Sequence, residues 1–196
     1  MGSNELRLRD NWQTFSGELS AIAEQDVLSV FNILFKKTDY RIIKEPKDFL
    51  HVYEKWPLSS YEKKQIYNPD KPYKHGFRPD YAIENIKTKK TIYLEVKRQD
   101  GWVEGKEPSA GRGNAHERLC KYFTPGLMKI LSEKSKIAGS LPFWVVFVGD
   151  ITRDPKRVRE ITCWFDKFTD HFLFWRNNDH NALCNHFIKR ITPLLD

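Results

Sequence analysis

Phe-Trp-Val-Val-Phe-Val at positions 143–148 is the longest unbroken apolar run in the chain. Six residues are far too few to cross a bilayer, which takes about 20 in a helix. A short continuous run of aromatic and β-branched residues marks a strand buried on both faces, and such a strand needs helices to cover it. The flanking pattern supplies them. Residues 15–37 carry Phe15, Leu19, Ile22, Ala23, Val27, Val30, Phe31, Ile33, Leu34 and Phe35 in a largely helical stripe, with Ser16 as the expected N-cap. Asp80–Glu84 and Thr91–Lys97 read as two strands around a polar turn at Lys87–Lys90, closed by two residues near position 88. A helix is expected from Asn114, interrupted at Thr124-Pro125-Gly126, and another from Asp154-Pro155 to about Phe165. His171–Trp175 reads as a strand and Ala182–Ile191 as a closing helix. Residues 44–78, punctuated by Pro46, Pro57, Pro69 and Pro72, read as irregular structure holding a short helix or two. The expected order is helix, strand pair, helix, strand, helix, strand, helix. That order packs as α/β, a mixed central sheet flanked by helices.

Composition narrows the class. At 196 residues, one domain over 1–196 is expected, large enough for a full core. A hydrophobic fraction of 40% with 14% aromatics excludes a disordered or collagen-like chain. The formal charge of +7 suits a polyanionic partner without requiring one. Cys120, Cys163 and Cys184 form no zinc-ligand spacing and read as buried free thiols. The first five residues lack the features of a signal peptide, and Leu6 stands where a myristoylation site needs Ser or Thr. A cytoplasmic protein with no membrane contact is expected.

The chemistry-bearing residues lie on the strand pair. Alternation places Tyr93, Glu95 and Lys97 on one face of the second strand and Ile92, Leu94 and Val96 on the other. Asp80 falls opposite Glu95 or Lys97, depending on register, at roughly 5–7 Å. Two carboxylates at that spacing can share a divalent cation through hard oxygen ligands. A lysine beside them can position a water and stabilise charge on a phosphoryl oxygen, which phosphodiester hydrolysis requires. Acidic-x-Lys also occurs at Glu45-x-Lys47, Glu62-x-Lys64 and Glu104-x-Lys106, none in an alternating strand. A solvated surface ion cluster explains the pattern equally well at this point.

The segment Gly111-Arg112-Gly113-Asn114-Ala115-His116-Glu117-Arg118 follows a Gly/Pro/Ser-containing loop. Asn114 as N-cap with Glu117 three residues on makes a capping box and needs no ligand. A helix start also favours phosphate, and Arg, Asn and Glu are side chains that read base edges in the major groove. Three functions therefore stay open: a sequence-specific nuclease, a structure-selective repair or junction nuclease, and a non-enzymatic DNA-binding protein. His116 sits in a variable slot, so a catalytic histidine is not expected. Arg153, Lys156, Arg157 and Arg159 fit a phosphate-contacting face or solvated helix charge equally.

Together these motifs carry a family resemblance. Gly113-Asn114-Ala115-His116-Glu117-Arg118 resembles the GNAxER recognition motif of EcoRI-type restriction endonucleases, and Pro79-Asp80 with Glu95-Val96-Lys97 resembles the PD-(D/E)xK nuclease motif. The stretch from Glu95 through Gln99-Asp100-Gly101-Trp102 to Arg118, with Pro142–Glu160, is similar to type II restriction endonucleases of the EcoRI/MunI type. The resemblance implies a restriction-endonuclease-like core. It implies that Asp80 and Glu95 bind Mg²⁺ with the Val96 carbonyl as a third ligand, and that Lys97 stands beside the attacking water. It further implies that Asn114, Ala115, Glu117 and Arg118 read an AATT core in double-stranded DNA. Arg112 and Gly113, preceding Asn114, point to CAATTG, cut to leave 5′ AATT overhangs. A palindromic site implies a homodimer, with a cognate DNA methyltransferase as functional counterpart.

Overall fold

In the computed structural model the described residues are 2–54, 56–67, 75–101 and 116–196, with side chains of the first helix described from Gly17 onward. The elements run α1 (Gly2–Leu34), β1 (Tyr40–Lys44), α2 (Ser60–Gln65), β2 (Tyr81–Asn85), β3 (Thr91–Arg98), a 3₁₀ segment (Glu117–Phe123) and α3 (Pro125–Ser135). They continue with β4 (Phe143–Val148), α4 (Pro155–Phe165), β5 (Phe172–Trp175), α5 (His180–His186), a π-helical turn (Phe187–Ile191) and α6 (Thr192–Leu195). No helix is long and apolar enough to cross a membrane among the described residues.

The strands form one sheet in the order β1-β2-β3-β4-β5. The first three are antiparallel neighbours, while β3-β4 and β4-β5 are parallel. Parallel neighbours require crossovers, and α3 and α4 supply them on one face. On that face Tyr93, Phe143, Val145 and Phe147 pack against Leu127, Leu131, Ile161 and Phe165. On the opposite face Ile92, Leu94, Val96, Trp144 and Val146 pack against Val27, Phe31 and Phe187. Odd and even residues of β4 therefore enter different cores, which is why its sequence is apolar without interruption. Phe31 meets Trp144 edge-on at 5.9 Å and Phe187 at 5.4 Å, locking α1 and the C-terminal helices to that face.

Several expectations need correction. Strand β1 was not anticipated, because Tyr40-Arg41-Ile42-Ile43-Lys44 is an edge strand whose burial alternates only weakly. Ser16 lies inside α1 instead of capping it. The hairpin loop is Ile86–Lys89, longer than two residues, closed by Asn85 N donating to Lys90 O. Asn85 Oδ1 accepts from the amides of Lys87 and Thr88, and Lys89 takes a left-handed φ of 60°. That side-chain capping stabilises a turn which the residue types alone did not specify. Cys120 and Cys163 are exposed and Cys184 is half-buried, so the thiols are free but not core residues. The Asp154 cap holds as expected, with its Oδ1 accepting from Lys156 N at 3.0 Å and Pro155 in the first turn.

Candidate active site

The register that pairs Tyr81 with Leu94 brings Asp80 beside Glu95. The face of β3 that carries Glu95 is covered by packed side chains, the buried Tyr122 among them. Glu95 is 4% exposed, and the side chains of Asp80 and Lys97 are about one-fifth exposed. This removes the solvated surface cluster as an explanation.

The contacts converge on one nitrogen. Lys97 Nζ hydrogen-bonds Glu95 Oε2 and lies 3.4 Å from both Asp80 Oδ2 and the Val96 carbonyl oxygen. Asp80 Oδ2 also accepts from Val96 N at 2.7 Å, and Glu95 Oε1 accepts from the buried Tyr122 hydroxyl. Burial, with Glu95 next to it, pushes the Asp80 carboxyl up to about 7, against the opposing pull of Lys97 and the Val96 amide. Burial works to lower the Lys97 ammonium pKa, but Glu95 and Asp80 outweigh it and the net shift is upward. Lys97 is therefore charged at neutral pH.

This geometry fits a divalent cation. Two carboxylates and a backbone carbonyl are hard oxygen donors of the kind Mg²⁺ takes, and in the structure all three already surround a cationic nitrogen. Among the described residues no three His, Cys, Asp or Glu side chains cluster at metal-ligand spacing. The donor set thus depends on the Val96 carbonyl as its third protein oxygen.

Asp80 also lines a cleft of about 500 Å³, with Glu24, Glu45 and Arg78 among its walls. Burial raises the Glu24 carboxyl pKa, partly offset by Lys97 and Lys44. Glu24 is held near the site because its helix is anchored there, the Tyr81 hydroxyl donating to the Glu24 carbonyl at 2.9 Å. Arg78 is paired with Glu45 at 2.9 Å.

Of the expected base-reading residues, Glu117 and Arg118 open the 3₁₀ segment and are exposed. Arg112, Gly113, Asn114 and Ala115 lie outside the described residues, as does Trp102. His116 is fully buried, between Gln99 and Glu160, in keeping with a structural side chain. The basic cluster at the start of α4 and just before it is partly committed within the protein: Arg157 bonds Glu160 at 2.7 Å and Arg153 bonds Asn177 at 2.6 Å.

Three side chains at the site escaped the sequence: Glu24, Gln99 and Tyr122. Gln99 had a signal, since it continues the alternation of Glu95 and Lys97. Tyr122 and Glu24 had none, because only the tertiary fold brings them to β3.

Known proteins resemble this chain over its whole length. A family model described as type II restriction enzyme MunI matches residues 1–196. The curated type II restriction enzyme MunI from Mycoplasma sp is 48% identical over 202 residues, covering 100% of both chains. The crystal structure of MunI restriction endonuclease in complex with cognate DNA superposes with a TM-score of 0.81 at 48% identity, covering 95% of this chain and 98% of that one. The chain belongs to the MunI family of type II restriction enzymes.

Proposed function

We propose that the protein is a Mg²⁺-dependent endonuclease that cuts double-stranded DNA at a palindrome with an AATT core, CAATTG, leaving 5′ AATT overhangs. The convergence of Asp80, Glu95 and the Val96 carbonyl on a single cation position carries this reading. In it, Asp80, Glu95 and the Val96 carbonyl hold the magnesium and Lys97 lies beside the attacking water. Bound there, the metal would supply Lewis-acid polarisation of the scissile phosphate and favour ionisation of the water. Lys97 contributes a fixed positive charge toward the phosphoryl oxygens and a proton donor at Nζ. Arg112, Gly113, Asn114, Ala115, Glu117 and Arg118 form the base-reading segment, and the solved relative is a complex with cognate DNA.

A palindrome read by one fold is most simply met by a homodimer, each subunit of one domain cutting one strand. Such an activity, placed in the cytoplasm, needs a DNA methyltransferase of the same specificity to protect the host's own sites. The deciding experiment incubates a long sequenced duplex with Mg²⁺ and maps the ends. Discrete fragments ending within CAATTG are expected. A smear or branch-dependent cutting would point to a repair nuclease, and retained binding without cutting to a DNA-binding protein.

A further inference from the structure

The face of β3 that carries Glu95 and Lys97 is tied at two points to the segment that starts inside the GNAxER motif, at His116, and runs on to Tyr122. At one end, the Tyr122 hydroxyl donates to Glu95 Oε1. At the other, His116 Nδ1 lies 3.0 Å from Gln99 Oε1, and Gln99 follows Glu95 and Lys97 along one side of the strand. The second ring nitrogen of His116 lies 3.2 Å from Glu160 Oε2 on α4. The same ring stacks on Trp164 with centroids 5.5 Å apart and planes 11° from parallel. Tyr122 is wedged between Phe77 at 5.7 Å and Phe143 at 5.2 Å. Both His116 and Tyr122 are fully buried, so neither can shift without displacing close-packed neighbours.

We propose that His116–Tyr122 is a rigid strut joining base reading to cleavage, with His116 and Tyr122 as positioning residues that set Glu95 and Lys97 against the recognition segment. This rests on the reading of Asp80, Glu95 and Lys97 as the cleavage site and of Gly113–Arg118 as the base-reading motif. At about 2 Å rise per residue, the strut spans about 12 Å from His116 to Tyr122. Exposed Glu117 and Arg118 lie at its outer end and the buried Glu95 contact at its inner end. The Glu95 carboxylate has two oxygens and both are engaged, Oε1 by Tyr122 and Oε2 by Lys97. Removing Tyr122's donor frees the carboxylate to rotate away from the cation position. Removing the Gln99 contact frees the outer end of the strut, so that engagement of the correct bases no longer fixes the strand.

The test uses the full chain with Tyr122→Phe, Gln99→Leu and, as control, Glu95→Gln. Four quantities are measured: thermal stability, Mn²⁺ binding by calorimetry, DNA affinity in Ca²⁺, and single-turnover cleavage of cognate and one-base-altered duplexes in Mg²⁺. Tyr122→Phe should weaken Mn²⁺ binding and slow cognate cleavage by about 10- to 100-fold. DNA affinity should stay within about threefold. Gln99→Leu should slow cognate cleavage at unchanged DNA affinity and narrow the rate ratio between cognate and altered duplexes. It does so without touching the buried tyrosine, and therefore serves if Tyr122→Phe fails to fold. Folded variants with wild-type Mn²⁺ affinity, rate and discrimination overturn the strut while leaving the cleavage site intact. Wild-type cutting by Glu95→Gln would instead overturn the cleavage-site reading on which the strut rests.

Discussion

The Asp80 carboxylate accepts a 2.7 Å hydrogen bond from the Val96 backbone amide. Asp80 precedes β2, and this bond carries its side chain across to the neighbouring strand, where the same oxygen faces Lys97 Nζ at 3.4 Å. A single contact thus fixes the distance between the two carboxylates and secures the strand end that bears the lysine. The arrangement is electrostatically uphill without a cation, since two carboxylates face one ammonium in a largely buried setting.

Substitutions at Asp80 separate the two roles of that carboxylate. Asp80→Asn keeps an acceptor for the Val96 amide and loses the charge, whereas Asp80→Ala loses both. Each should reduce Mg²⁺-dependent cleavage by orders of magnitude. DNA binding in Ca²⁺ or EDTA should survive, because a negative charge near phosphates has been removed. Only the alanine variant leaves a buried amide unpaired, so its stability should be lower than that of the asparagine variant by about 1–3 kcal/mol. Cleavage assays and urea titrations on the pair decide it. Near-normal cutting by either variant would sink the metal-site assignment.

Lys97 occupies the position where the three oxygens converge, so its removal has opposite effects on two observables. Lys97→Ala should lose cleavage rate through the missing positive charge. Divalent-ion binding should persist or tighten, because the competing ammonium is gone. Specific DNA binding in Ca²⁺ should be nearly unchanged. A large loss of specific binding with intact cutting would mark Lys97 as a phosphate contact only.

How much of this was legible in the residues depends on whether local pattern or tertiary packing decides. β4 and α4 were legible to their ends, since an unbroken apolar run and an Asp-Pro cap are local signals. The pairing of Asp80 with Glu95 was legible only as one of two registers, because the loop that sets register is capped by the Asn85 side chain. Strand β1 was missed because an edge strand needs no strong alternation. Tyr122 lies 27 residues from Glu95 in sequence, and nothing in a Lys-Tyr-Phe stretch announces that its hydroxyl meets a carboxylate. The motifs at 80, 95–97 and 113–118 stand out because the cleavage and base-reading roles proposed for them would dictate residue type.

The raised Asp80 pKa makes a stability prediction with a definite sign. The unfolded chain releases the Asp80 proton near pH 3.9, whereas the folded chain keeps it to about pH 7. Between these values the folded state binds more protons, so stability without metal falls as pH rises through this window. His116, His171 and His186, whose pKa values are lowered by burial, tilt the profile the other way near neutrality. The comparison of wild type with Asp80→Asn isolates the carboxylate. Urea midpoints in EDTA at pH 5 and pH 8 should show the variant gaining on the wild type at the higher pH. An equal difference at both pH values would show that Asp80 is not held protonated by its surroundings.

In the proposed reading, the outer base pair of the site turns on Arg112. The exposed Glu117 and Arg118 follow directly on the buried His116, whose two ring nitrogens both have partners, so the motif holds a fixed anchor at its fourth residue. Arg112 precedes that anchor by four residues, between Gly111 and Gly113, which permit close backbone approach to DNA. Guanine O6 and N7 form the acceptor pair that a guanidinium fits best, a contact worth about 1–3 kcal/mol of discrimination. The AATT core contains no guanine, so an arginine reading guanine must address the outer pair. Arg112→Ala should therefore flatten the preference for CAATTG over duplexes altered only at that pair. A phosphate contact would behave differently: all duplexes would lose affinity by the same factor and the salt slope would fall by about one. Competition binding in Ca²⁺ at two salt concentrations distinguishes the two, and an outer-pair preference that survives the substitution defeats the guanine-reading role.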